Sequence, residues 1–74
     1  MLKFSQIVLP DSVTEIGDFA FAWCSGLTSI VIPDSVKHID SDVFKECDDI
    51  VIITPEGSFA CEYAKRKRLK LQRI

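Results

Sequence analysis

A chain of 74 residues suffices for one small domain, 1–74, whose core is marginal by itself. Its apolar fraction of 47% excludes a disordered chain, no apolar run approaches the roughly 18 residues of a membrane helix, and the N-terminus has no long apolar segment of the signal-peptide kind. The net charge of −2 hides a split: Lys65, Arg66, Lys67, Arg68, Lys70 and Arg73 sit together without an acid, while all eleven acids precede them.

Met1–Gln6 reads as the tail of a repeat whose front half is missing. Ile7–Val13, IVLPDSV, then returns as Ile30–Val36, IVIPDSV, displaced by 23 residues. The echo extends further: Ile16 answers to Ile39, Phe21 to Phe44, Cys24 to Cys47, and Phe4 and Ile50 fall in line with Leu27. A period of this length is the signature of stacked coils, each burying its apolar face against the next. The spacing predicts repeats at about 4–26 and 27–49, and an irregular last repeat with a cap over 50–74.

Within each repeat, side-chain alternation along a strand directs Ile7 and Leu9, and likewise Ile30 and Ile32, into the coil. Gln6, Val8, Ser29 and Val31 then point outward, joined by Val51 or Ile53 according to register. Pro10 and Pro33 end the strands by removing a ladder donor. Asp11-Ser12 and Asp34-Ser35 follow as turns, with side chains suited to nearby backbone amides. Val13 and Ile16, like Val36 and Ile39, have inward spacing for the return side. Residues 17–22 and 40–45 are expected as short helical turns, with 3₁₀ as one form, anchored by Phe21 and Phe44. Phe19 and Trp23 align with Asp42 and Glu46, so both aromatics are expected outside or over an end of the stack.

The third repeat departs: Ile50–Ile53 still reads as a strand, but Thr54-Pro55-Glu56-Gly57 replaces the Pro-Asp-Ser-Val string. Ser58 is a candidate N-cap for a helix over 58–67, and 69–73 alternates as a last short strand. Together they form a lid over the last coil.

The pattern Ile-x-(Ile/Leu)-Pro-Asp-Ser-Val-x-x-Ile-Gly-x-x-Ala-Phe-x-x-Cys-x-x-Leu, carried by residues 7–27 and with drift by 30–50, resembles the BspA-like leucine-rich repeat. Gly57-Ser58-x-Ala60-x-x-Tyr63-Ala64-Lys65 is similar to the segment that closes such arrays. The departures are Gly17 to Asp40 and Ala20 to Val43 in the second copy. The resemblance implies an α/β fold, a right-handed leucine-rich-repeat solenoid of about two and a half coils with a C-terminal capping helix and strand. It also implies a non-catalytic scaffold: bacterial and protist proteins of this kind are often surface-exposed and bind host proteins or one another.

Nothing in the residues points to catalysis. His38 is single and stands opposite Glu15 at a variable repeat position, Ser12 and Ser35 recur for turns, and no phosphate loop, zinc spacing or cofactor motif is present. Three cysteines make no disulfide framework, and Cys24 and Cys47 are expected to stack as reduced thiols, although a bridge is geometrically conceivable. Binding is the remaining reading, and the candidate concave face is Gln6, Val8, Ser29, Val31 and Val51. The alternative is a polyanion or nucleic-acid contact through Lys65, Arg66, Lys67 and Arg68; nucleic acid is disfavoured because no aromatics interleave the cations. The same cations are also what the negative end of a helix attracts, or one half of a head-to-tail attraction between chains.

The uncapped first coil leaves Met1, Leu2 and Phe4 at a bare strand edge, a template for pairing. The expectation is either the C-terminal part of a longer array or a homodimer through the N-terminal ends, with an unidentified protein partner and no membrane insertion. The chain as written is expected to be cytoplasmic, or at a cell surface if it is cut from a longer exported protein.

Overall fold

The computed structural model describes residues 6–22, 26–45, 47 and 49–74. Branched apolar residues alternating with outward ones produce β1 (Gln6–Val8), and a two-residue bridge strand, β2 (Glu15–Ile16), follows the Pro10 turn. The next repeat gives β3 (Ser29–Val31) and β4 (His38–Ile39), and the third gives β5 (Val51–Thr54). Helix α1 (Phe59–Lys67) and strand β6 (Lys70–Arg73) close the chain.

β1, β2 and β3 each pair in parallel with the counterpart one repeat on, and β5 pairs in parallel with the cap strand β6. One sheet has the order β1-β3-β5-β6, and β2 pairs with β4 in a second. In β1 and β3, Gln6, Ile7 and Val8 face Ser29, Ile30 and Val31, the 23-residue displacement seen in the sequence. Parallel register of this kind superposes like on like, so inward Ile stacks on inward Ile. Backbone bonds join successive units on each side: Leu9 N–H to Val31 O (3.1 Å), Lys37 N–H to Thr14 O (2.8 Å) and Phe21 N–H to Val43 O (3.0 Å).

The core lies between the two sheets and under the helix. Ile30, Ile32, Val36, Val43 and Ile52 are fully buried, with Ala60 and Ala64 of α1 against them. Each such branched side chain contributes about 1.5–3 kcal/mol on leaving water. A column of rings runs through it: Phe21 stacks on Phe44 with centroids 5.8 Å apart and planes at 10°, and Phe44 meets Tyr63 at 6.3 Å and 59°.

Three expectations change. Residues 17–22 and 40–45 form successive turns, not short helical turns. Bonds such as Ala20 N–H to Gly17 O and Lys45 N–H to Asp42 O close them singly, and Phe19 at φ 61° breaks any helix across the first set. Ser35 does not bond a local amide; its hydroxyl donates to the Val13 carbonyl of the preceding unit at 2.8 Å. The third repeat keeps the proline turn that its sequence conceals: Ser58 N–H bonds Pro55 O as Val36 N–H bonds Pro33 O and Val13 N–H bonds Pro10 O. One residue is lost from the period there, since Ser29, Ile30 and Val31 face Val51, Ile52 and Ile53. Gly57 supplies the positive φ of 83° that this third turn requires.

Ser58 is the N-cap of α1, its hydroxyl accepting from Cys61 N–H at 3.1 Å, and Arg68 ends the helix in the left-handed region at φ 60°. The cap was placed correctly by sequence; the helix begins one residue later and the strand begins at Lys70. Tyr63 ties the helix to the second coil by donating to the Asp40 and Ser41 carbonyls at 3.1 and 3.2 Å.

Candidate interaction surface

The pairing register determines which side chains share the outward face of the four-stranded sheet. Because alternate residues face opposite ways, Gln6, Ser29, Val51 and Lys70 form one row across the strands, and Val8, Val31, Ile53 and Gln72 form the next. The five residues expected on this face are therefore brought together, and both Val51 and Ile53 belong to it. The first row is polar at both ends: Ser29 Oγ donates to Gln6 Oε1 at 3.1 Å, and Lys70 Nζ lies 3.7 Å from Asp49. The second is aliphatic across three strands, and Val8 at its edge is 65% exposed. Lys70 and Gln72 were not expected here. Their alternation was visible in the sequence, but the register that sets Lys70 beside Val51 and Gln72 beside Ile53 follows no repeat.

The basic residues collect at one end of the stack. Lys65, Arg66 and Lys67 occupy the last turn of α1, where the carbonyl end of the helix favours cations, and Arg68 is its C-cap. Lys70 and Arg73 continue the charge along β6, and all six are exposed. Lys65 approaches Glu62 at 3.7 Å one turn back, an exposed pair of little energetic weight.

Other singled-out residues have structural settings. His38 Nε2 lies 2.6 Å from Asp40 Oδ1 on the exposed second sheet, with Glu15 as its strand partner. Phe19 is outward as expected, at 47% exposure. Cys47 is a buried thiol that donates to the Phe21 carbonyl at 3.1 Å, and Cys61 is buried in α1. Cys24, Trp23, Met1, Leu2 and Phe4 lie outside the described residues, so the Cys24–Cys47 stack and the expected association edge are not described. Among the described residues no three His, Cys, Asp or Glu side chains cluster as a metal site, and no helix is long and apolar enough to cross a membrane.

Parallel units of near-constant length, joined through a continuous apolar interior, define a repeat protein of the leucine-rich class. The family model for the BspA type leucine-rich repeat region (6 copies) matches residues 1–65, and the chain belongs to that family. Comparison with curated proteins and with solved structures gave no match.

Proposed function

We propose that this chain is a non-catalytic protein-interaction scaffold whose partner lies across the outward face of the four-stranded sheet. The observation that carries this reading is the aliphatic row Val8, Val31 and Ile53, bordered along one side by the row that holds Gln6, Ser29 and Lys70 and continued at its end by Gln72. An apolar strip with a polar border is the arrangement that excludes water from a docked protein while fixing its orientation. The repeats form one domain over residues 1–74, wound right-handed through about two and a half coils; the strong preference of parallel crossovers for that hand supports the winding. A setting at a cell surface, in an adhesion-type array, fits the same surface.

The test uses a photo-crosslinking amino acid placed at Val8 or Val31 in the native host, with Lys37 and Glu56 as exposed control positions. One adduct band shared by Val8 and Val31 and missing from the controls is expected. Equal labelling at all four positions contradicts the proposal.

The exposed cations of α1 and β6 support a second reading, contact with a polyanion. Its test is retention on immobilised heparin: loss of retention on replacing Lys65, Arg66, Lys67 and Arg68 by Ala supports it, and unchanged elution rejects it. Binding through phosphates or sulfates weakens steeply with salt.

A further inference from the structure

The two ends of the stack differ in a way that the outward face does not explain. At the first end, β1 and β2 are the outermost strands of their sheets, and at the other end β6 is outermost. Ile7, Leu9 and Val13 of the first coil are half-buried, whereas their counterparts Ile30, Ile32 and Val36, with a coil on either side, are each 0% exposed. The difference measures the cover that one more coil supplies. At the far end Leu69 and Leu71 are half-buried and Ile74 is 66% exposed.

Charge separates the possible covers. Between residues 6 and 22 the first coil carries exposed Asp11, Glu15 and Asp18 and no Lys or Arg. The far end carries the exposed cations of the last α1 turn and of β6. A two-fold meeting of two first coils would set Asp11, Glu15 and Asp18 against their own copies, an isologous contact of like charge. A head-to-tail meeting sets acid against base. It also keeps the strands parallel, so β6 of one copy and β1 of the next, the edge strands of the sheet among the described residues, can be joined by a parallel ladder at a spacing of about 4.8 Å.

We propose that a second copy of this chain stacks its α1–β6 end on the β1–β2 end of the first. Leu69 and Leu71 cover Ile7, Leu9 and Val13, and Lys67 and Arg73 face Asp11 and Glu15. The contact is heterologous, so each copy retains one open head and one open tail, and association proceeds to a ring or a filament rather than stopping at a dimer. It uses the sheet edges and leaves the outward row Val8, Val31 and Ile53 uncovered, so it stands or falls separately from the scaffold reading.

Light scattering coupled to size exclusion tests it with the full chain and two variants, Asp11→Lys with Glu15→Lys (head blocked) and Lys67→Glu with Arg73→Glu (tail blocked). All four positions are exposed, and circular dichroism checks that the variants remain folded. The unsubstituted chain is expected to at least double in mass as its concentration rises, and each variant alone to stay monomeric. An equimolar mixture of the two is expected to regain association, because the intact head meets the intact tail and the Lys-bearing head meets the Glu-bearing tail. A tail-blocked variant that dimerises by itself, or a folded mixture that stays monomeric, overturns the proposal. Salt at about 1 M gives a readout free of substitutions, since screening then acts within ~3 Å: a fall in the mass of the unsubstituted chain is expected. A chain that is monomeric at every concentration, or an assembly indifferent to that salt, also overturns it.

Discussion

Thr54 Oγ1 donates to the Ile32 carbonyl at 2.7 Å, joining the end of the third strand to the end of the second in a site with no exposure. Its proton is committed there, so at 2.9 Å it accepts from Ser58, whose oxygen in turn accepts from Cys61 N–H. One polar chain thus couples the coil stack to the start of the capping helix. Thr54→Val removes the donor, leaves a buried carbonyl without it, and is expected to cost about 1–3 kcal/mol. Ser58→Ala removes the cap and is expected to cost about 0.5–2 kcal/mol. Urea denaturation of both singles and the double variant checks this, and the double is expected to lose less than the sum because the two hydroxyls share one bond.

Position in the ring column sets the cost of removing each ring. Phe44 is 6% exposed and has a ring on either side, while Phe21 is half-buried and has one described ring neighbour, Phe44. Phe44→Ala is expected to lose about 3–5 kcal/mol, enough to unfold a domain of this size, and Phe21→Ala less. Thermal denaturation of the two variants side by side gives the order; equal losses would contradict the column.

Tyr63 gives the stability a dependence on alkaline pH. Burial first, and then the nearby Asp42 carboxylate, raise its pKa above the ordinary 10.0, and its hydroxyl is needed as a donor to Asp40 and Ser41. The folded chain therefore holds the phenolic proton more tightly than the unfolded chain. The stability contribution is complete below pH about 10 and is lost as pH rises through the higher folded value. Because the sequence contains one tyrosine, phenolate absorbance titrates Tyr63 directly. Its midpoint is expected above that of the urea-unfolded chain, and Tyr63→Phe is expected to remove this part of the alkaline loss.

Gly57 stands at φ 83° with nothing within 4 Å of where a Cβ would be, so Gly57→Ala meets no steric obstacle. The backbone alone decides the result, and a loss of about 1–2 kcal/mol is expected from holding an L-residue in that region. A neutral substitution, measured by urea denaturation, would show that the third proline turn is not formed as described.

The inward ladder was readable because core positions demand the same kind of side chain in each coil. Ile7 over Ile30, Ile16 over Ile39 and Phe21 over Phe44 all follow from one displacement. Features that do not repeat were not readable. The second sheet is two residues long in each unit, and its outward pair is Glu15 and His38, which share no chemistry. The turns at 17–22 and 40–45 resemble helix starts locally, and only the positive φ of Phe19 and the isolated bonds distinguish them. Pro55 was set apart from Pro10 and Pro33 because the period shortens just before it. Lys70 and Gln72 join the outward face through a pairing that the capping helix, not a repeat, positions.

The surface rests on the register, and methyl-resolved nuclear Overhauser spectroscopy reads the register directly. Contacts from Ile30 to Ile7 and Ile52, and from Val31 to Val8 and Ile53, are expected, with the two sets segregated onto opposite faces of the sheet. Cross-strand contacts from Ile30 to Val8 or Ile53 in place of these would mean a slip of one residue. That slip would put Val8 and Ile53 on the face opposite Val31 and leave no aliphatic row for a partner.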